Sequence, residues 1–197
     1  KIQYLALAFK QDLKEPLAYY LNNPLDKLTG VKWDLADNGA LIAAAFFTEK
    51  GKVLPAGYIT YQVQSPGAEP KIDRFYLSET SYQAAYPFSS PEPRDNANRR
   101  RFDQFLFQQI EKDSTGNVLL VAEQNIFDPI NGLLEYNDIL VIRHDNLDKP
   151  VWMKRIPKRQ QGYSYIPKLT YGYQSFFYKD NLFFLFNDAL NNQKGAG

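Results

Sequence analysis

Glu123 stands at the end of an otherwise apolar run, NVLLVAEQ at residues 117–124. A carboxylate there is costly to bury unless a cation or donors meet it. Asp138 opens a second such run, DILVIRH at 138–144, and Glu135 is close to it in sequence. Two facing carboxylates are what glycoside hydrolysis requires, one as acid and one as nucleophile or base. Nothing in the sequence fixes their separation. The plainer expectation is that Glu123 pairs with Arg143 or Lys154 on a neighbouring strand. The loop IFDPINGLLEYND carries Asp128, Asn131, Glu135 and Asp138. Oxygen-rich loops can hold Ca²⁺, but this one lacks the alternating acidic pattern of a calcium loop.

His144 is the single histidine, at the end of a predicted strand where a surface or turn position is the ordinary expectation. A Ser-His-Asp triad would need it, yet no Gly-x-Ser-x-Gly elbow accompanies it. One histidine and no cysteine leave no multi-histidine or thiolate zinc site. No phosphate-binding glycine loop occurs either. No catalytic residue, metal site or cofactor is assigned.

The remaining chemistry is basic and aromatic. Arg94 and Arg99–Arg101 form one cluster. Lys154, Arg155, Lys158 and Arg159 form another, followed by Tyr163, Tyr165, Tyr171 and Tyr173. Cations interleaved with rings can stack on sugars or on single-stranded nucleic acid, or they can be solvated outer-strand residues. The net charge of +1 provides no general attraction to nucleic acid or an anionic membrane. The candidate binding residues are therefore Arg159, Tyr163 and Tyr165, together with Glu123 and Asp138, and the expected ligand is a glycan or a peptide.

The elements that must position these residues read mostly as strands. Fourteen Tyr and fourteen Phe among 197 residues suit a pleated, half-buried surface. Ile2–Phe9 reads as a strand. Residues 10–30, with Pro16 and Pro24, read as loop with a short helical turn around Leu17–Leu21. Asp37-Asn38-Gly39 splits two apolar runs and supplies the positive-φ residues of a tight hairpin. Strands follow at Gly57–Gln64 and Lys71–Leu77, then a Pro-rich loop over 78–98. Arg99–Lys112 reads as an amphipathic helix, since Phe102, Phe105, Leu106, Gln109 and Ile110 recur at spacings of three and four. Three arginines at its start oppose the helix dipole, which calls for acidic groups nearby. Asn117–Gln124, Asp138–His144, Val151–Ile156, Gly172–Tyr178 and Leu182–Phe186 complete the strands. Residues 191–197 read as a flexible tail.

Two stretches repeat one order. LIAAAFF, GYITYQV and KIDRFYL follow Gly39; VLLVAEQ, DILVIRH and VWMKRIP follow Gly116. SFFYKDNLFFLF, near the end of the sequence, opens a third copy at 182–187. Short antiparallel strands in this order suggest blades of a partial β-propeller within one β-rich domain over 1–190, with units at about 31–77 and 116–178. Propellers close with about four to eight blades, so two units and a fragment call for a longer protein, for closure by pairing with another copy, or for an open stack. The last strand offers an edge, and homodimerisation is the expected way to cover it.

Residues 115–190 resemble a group of uncharacterised propeller-like proteins of Bacteroidetes-type bacteria. The likeness rests on Val121–Gln124, Tyr136–Val141, Trp152 with Lys154, Ile156–Gln160, and Leu182–Asp188. It implies a fold and no reaction. The functional expectation is a non-catalytic binding or interaction module. The alternatives are a carbohydrate-active hydrolase using paired carboxylates and an assembly protein closed by dimerisation. No apolar run has the roughly 18 residues of a spanning helix, and no signal segment is visible, so the compartment, periplasmic or cytoplasmic, stays open.

Overall fold

A computed structural model describes residues 3–8, 17–22, 27–36, 38–78, 104–113, 115–163, 172–178 and 181–187. The chain is mostly β and its strands pair antiparallel throughout. It divides into two compact units, residues 1–77 and 78–197.

In the first unit β1 (Gln3–Ala8) and β2 (Leu17–Asn22) form a hairpin. The segment expected to hold a helical turn is thus strand β2, and Tyr19 and Leu21 are both buried at the two-residue period of a strand. β3 (Lys27–Leu35), β4 (Leu41–Thr48), β5 (Gly57–Val63) and β6 (Lys71–Tyr76) make a four-stranded meander in chain order. β4 is buried at every position. Strand neighbours on both sides satisfy its backbone, and its continuous apolar run suits two covered faces. Tyr19 and Leu21 pack on one face with Leu41, Ala43, Phe47, Ile59 and Tyr61. The Tyr19 hydroxyl donates to the Gly39 carbonyl at 2.8 Å and fastens the β1–β2 hairpin to the β3–β4 turn.

Gly39, at φ 81°, shapes that turn. Its N–H donates to the Ala36 carbonyl at 2.8 Å, and the Ala36 N–H donates to the Ala40 carbonyl at 2.8 Å. Gly57 has a different task. It lies in register between Phe47 and Tyr76, whose rings meet edge-on at 5.4 Å. A Cβ on Gly57 would stand 2.1 Å from the Phe75 carbonyl oxygen. The next pair along, Tyr58 and Phe75, stacks at 5.0 Å.

In the second unit β7 (Phe105–Lys112), β8 (Val118–Asp128), β9 (Leu133–Asp145) and β10 (Lys149–Ile156) repeat the meander order, and β11 (Gln160–Tyr163) pairs with the first residues of β9. The helix expected over 99–112 is corrected: Phe105–Lys112 is strand β7, and no helix occurs among the described residues. The reason is a β-bulge. Phe107 pairs with Ala122 but Gln109 with Val121, so Gln108 is an extra residue. The buried side chains then fall at Phe105, Phe107 and Ile110. One spacing of three inside a period of two imitates a helical stripe.

The β7–β8 turn repeats the β3–β4 turn. The Asp113 N–H donates to the Asn117 carbonyl at 2.9 Å and the Gly116 N–H to the Asp113 carbonyl at 3.0 Å, with Gly116 at φ 84°. In both meanders the first strand carries its bulge a few residues before this turn, between Thr29 and Lys32 and between Phe107 and Gln109. β12 (Gln174–Tyr178) and β13 (Asn181–Leu185) form a hairpin. Phe177, Leu182 and Phe184 pack on Leu119, Val121, Ile139 and Val141 of the sheet. β13 alternates between exposed and half-buried, so it lacks the two buried faces of β4 and β8. The tail at 191–197 lies outside the described residues.

Candidate functional site

The site begins where the β8–β9 ladder breaks. Glu123 pairs with Ile139 and Asn125 with Tyr136, so Gln124 faces two residues, Asn137 and Asp138. The extra residue re-aims β9. Past its end, β10 runs into Pro157 and Lys158, and Lys158 turns its side chain inward.

Lys158 is the centre of a buried polar group. Its ammonium donates to Glu123 Oε1 at 2.6 Å and to Gln160 Oε1 at 3.0 Å. The two ionic side chains are 0% and 2% exposed. The ammonium also sits 5.8 Å from the centre of the Tyr136 ring, within cation–π range. Gln160 accepts from the Gly172 N–H at 2.7 Å and donates to the Asn187 carbonyl. The network thus ties β8, the β10–β11 link and both ends of the β12–β13 hairpin. Tyr173, next to Gly172, has a buried hydroxyl with no hydrogen-bond partner among the described residues. Burial, then the charges of Glu123 and Glu111, push its proton affinity up, so it stays a phenol.

Asp138 is tied from the same link. It accepts the Lys158 backbone N–H at 3.0 Å and forms an ion pair with Arg155. Arg155 points to the sheet face opposite Lys154, is almost fully buried, and lies 6.0 Å from the Phe105 ring centre. Burial pulls its guanidinium down to about 9, which still leaves it charged at neutral pH beside Asp138.

Between the sheet and the β12–β13 hairpin lies a cleft of about 540 Å³. Leu119, Val141, Trp152 and Ile156 line it from the sheet, and Phe177, Leu182 and Phe184 from the hairpin. Its polar groups are Asp113, Thr115, Arg143, Lys154 and Asn181. Arg143 is taken up by Asp113, which accepts from its Nη2 at 2.8 Å and its Nε at 3.2 Å. Burial works to raise the Asp113 carboxyl, but hydrogen bonds from Thr115, Arg143 and Asn117 outweigh it and hold the group well below the carboxylate range. Lys154, by contrast, is exposed and has no ion pair among the described residues.

Of the sequence-predicted residues, Glu123 and Asp138 meet in one network through Lys158. Glu123 has a cationic partner as expected, but the partner is Lys158 rather than Arg143 or Lys154. Arg159 is exposed in the same link. Tyr163 ends β11, and Tyr165 lies outside the described residues, as do Tyr171, Arg94 and Arg99–Arg101. His144 is corrected from a surface position to full burial within β9. In the polar loop, Asp128 spends its oxygens on its own turn, accepting from the Ile130 N–H at 2.9 Å and Asn131 Nδ2 at 2.7 Å. Glu135 accepts from Asn137 and Gln161. Among the described residues no group of three potential ligands could hold a metal, and no helix is long and apolar enough to cross a membrane. Lys158 stands in the basic cluster but was not singled out as the partner of Glu123, although one signal for it existed. Lys154 and Arg155 are strand neighbours, so only one can share a face with Glu123, and a buried carboxylate needs a cation that the strand itself need not supply. Comparisons with protein-family models, curated proteins and solved structures find no match.

Proposed function

We propose that this chain is a non-catalytic binding or interaction module built from propeller-like blades, with a glycan or peptide as ligand. The carrying observation is the buried Glu123–Lys158 pair at 2.6 Å. Glu123 is enclosed and its Oε1 is taken up by the Lys158 ammonium, so it is not presented to a substrate as a catalytic acid must be, which favours binding over the hydrolase reading. The blade reading draws support from the two meanders, whose first turns share one hydrogen-bond pattern and whose first strands bulge at matching places. The loops and links at strand ends, with Arg159, Tyr163 and Tyr165, are the recognition surface in this reading. Glycan and peptide arrays probed with the whole chain test it. The expected result is a ligand whose capture falls when Arg159, Tyr163 and Tyr165 are changed together to Ala; capture unaltered by that triple change refutes this surface.

A second reading is assembly with another copy of the chain. It is favoured by the outer face of the β12–β13 hairpin, where Phe176, Tyr178, Phe183 and Leu185 are 43–66% exposed and Phe176 stacks on Phe183 at 5.3 Å. Contiguous exposed apolar side chains of this kind mark contact surfaces.

A further inference from the structure

The cleft between the sheet and the β12–β13 hairpin has an asymmetric lining. Its walls are apolar and partly aromatic: Leu119, Val141 and Trp152 on one side, Phe177 and Leu182 on the other. Its volume of about 540 Å³ lies in the range of small-molecule sites, roughly 300–1,000 Å³. Arg143 and Asp113 cancel each other across 2.8 Å. Lys154 adds one positive charge that no described residue balances. Val141 and Lys154 are register partners, so the ammonium rises from the same strand pair that presents apolar surface. We propose that this cleft binds a small amphipathic carboxylate. Its aliphatic or aromatic stem lies along the half-buried Trp152 and Ile156 beside the hairpin, and its carboxylate meets Lys154.

The chemistry selects this class over others. A neutral apolar ligand would gain the walls and leave the ammonium with water alone. A polar sugar would place hydroxyls against Trp152, Ile156 and Phe177, while Asp113 and Arg143 are already paired with each other. A cationic ligand would face Lys154 in a partly desolvated cleft. An anion with an apolar stem satisfies both parts. The inference rests on the binding-module reading and gives it a second, small-molecule site.

Octanoate and octan-1-ol share a stem and differ in the charged end, so they separate the two contributions. Each is titrated into the whole ¹⁵N-labelled chain while the two indole N–H signals are followed. The expected result is that octanoate shifts the Trp152 indole and leaves that of Trp33 unmoved. Octanoate should bind about tenfold more tightly than octan-1-ol, the size of one hydrogen bond to a charged group. Lys154→Gln should erase that difference and Lys154→Arg should keep most of it. Lys154 is exposed, so both variants should fold. Equal affinity for the acid and the alcohol, an unshifted Trp152, or octanoate affinity unchanged in Lys154→Gln each overturns the proposal. Array ligands that bind while octanoate does not would remove this site and leave the module reading standing; conversion of a bound ligand to product would remove the non-catalytic reading instead.

Discussion

The Lys158 ammonium, whose side chain is fully enclosed, is compensated in its burial by Glu123 and Gln160, which both accept from it. Removing one partner strands the other. Lys158→Met should destabilise the chain by about 3–5 kcal/mol in urea unfolding, because Glu123 is left as an uncompensated buried charge. Adding Glu123→Leu should recover most of that loss, since a well-packed apolar pair often matches a buried ion pair. A double variant no more stable than the single one would show that the charge is not the cause. Asp113 gives a pH prediction. Its carboxyl is depressed in the folded chain, so its contribution is fully present above the ordinary value of 3.8 and drains away as pH falls toward the folded value. Asp113→Asn should therefore lower stability at neutral pH and flatten the acid limb of a stability–pH curve; an unchanged acid limb would contradict the assignment. At this scale the sequence signalled that Glu123 needs a cation. It did not signal which one, because the contact to Lys158 spans 35 residues and lies beyond the end of β10, next to the bulge that breaks the β8–β9 ladder.

Among the elements, the strands whose apolar runs are unbroken were legible. β4 and β8 are both interior to a sheet and read as continuous apolar stretches. The hairpin at Asn38-Gly39 was legible because only a few residues tolerate positive φ. β7 was not, since one inserted residue converts its alternation into a false helical period. β2 and β11 were missed for another reason: short strands beside prolines and polar residues carry almost no periodic signal. Gly57 offers a test of how closely β5 and β6 are fitted. Gly57→Ala should cost about 1–3 kcal/mol, as overpacking does, because the new methyl meets a backbone carbonyl that cannot swing away. Thermal unfolding checks it, and a neutral substitution would mean that the two strands can part. Gly39→Ala should also destabilise, but through the strain of a side chain at φ 81° rather than through a clash, as open space surrounds it.

For the whole molecule, the sequence conveyed the mostly β, antiparallel character of the chain, carried by local patterns. It conveyed nothing about what covers the outer face of the β12–β13 hairpin, because a pattern cannot distinguish a ring that meets a partner from one that meets water. Light scattering over a wide concentration range addresses this. Association is expected to strengthen with concentration, and Phe176→Ser with Phe183→Ser should weaken it; a monomer at every concentration would remove the assembly reading.

The enclosure of Lys158 has a further use. Amine-acylating reagents modify lysines that reach solvent, so Lys154 should be labelled at once and Lys158 only in molecules whose interior has opened. The slow appearance of a label on Lys158 is then a clock built into the second unit, timing how often its interior opens.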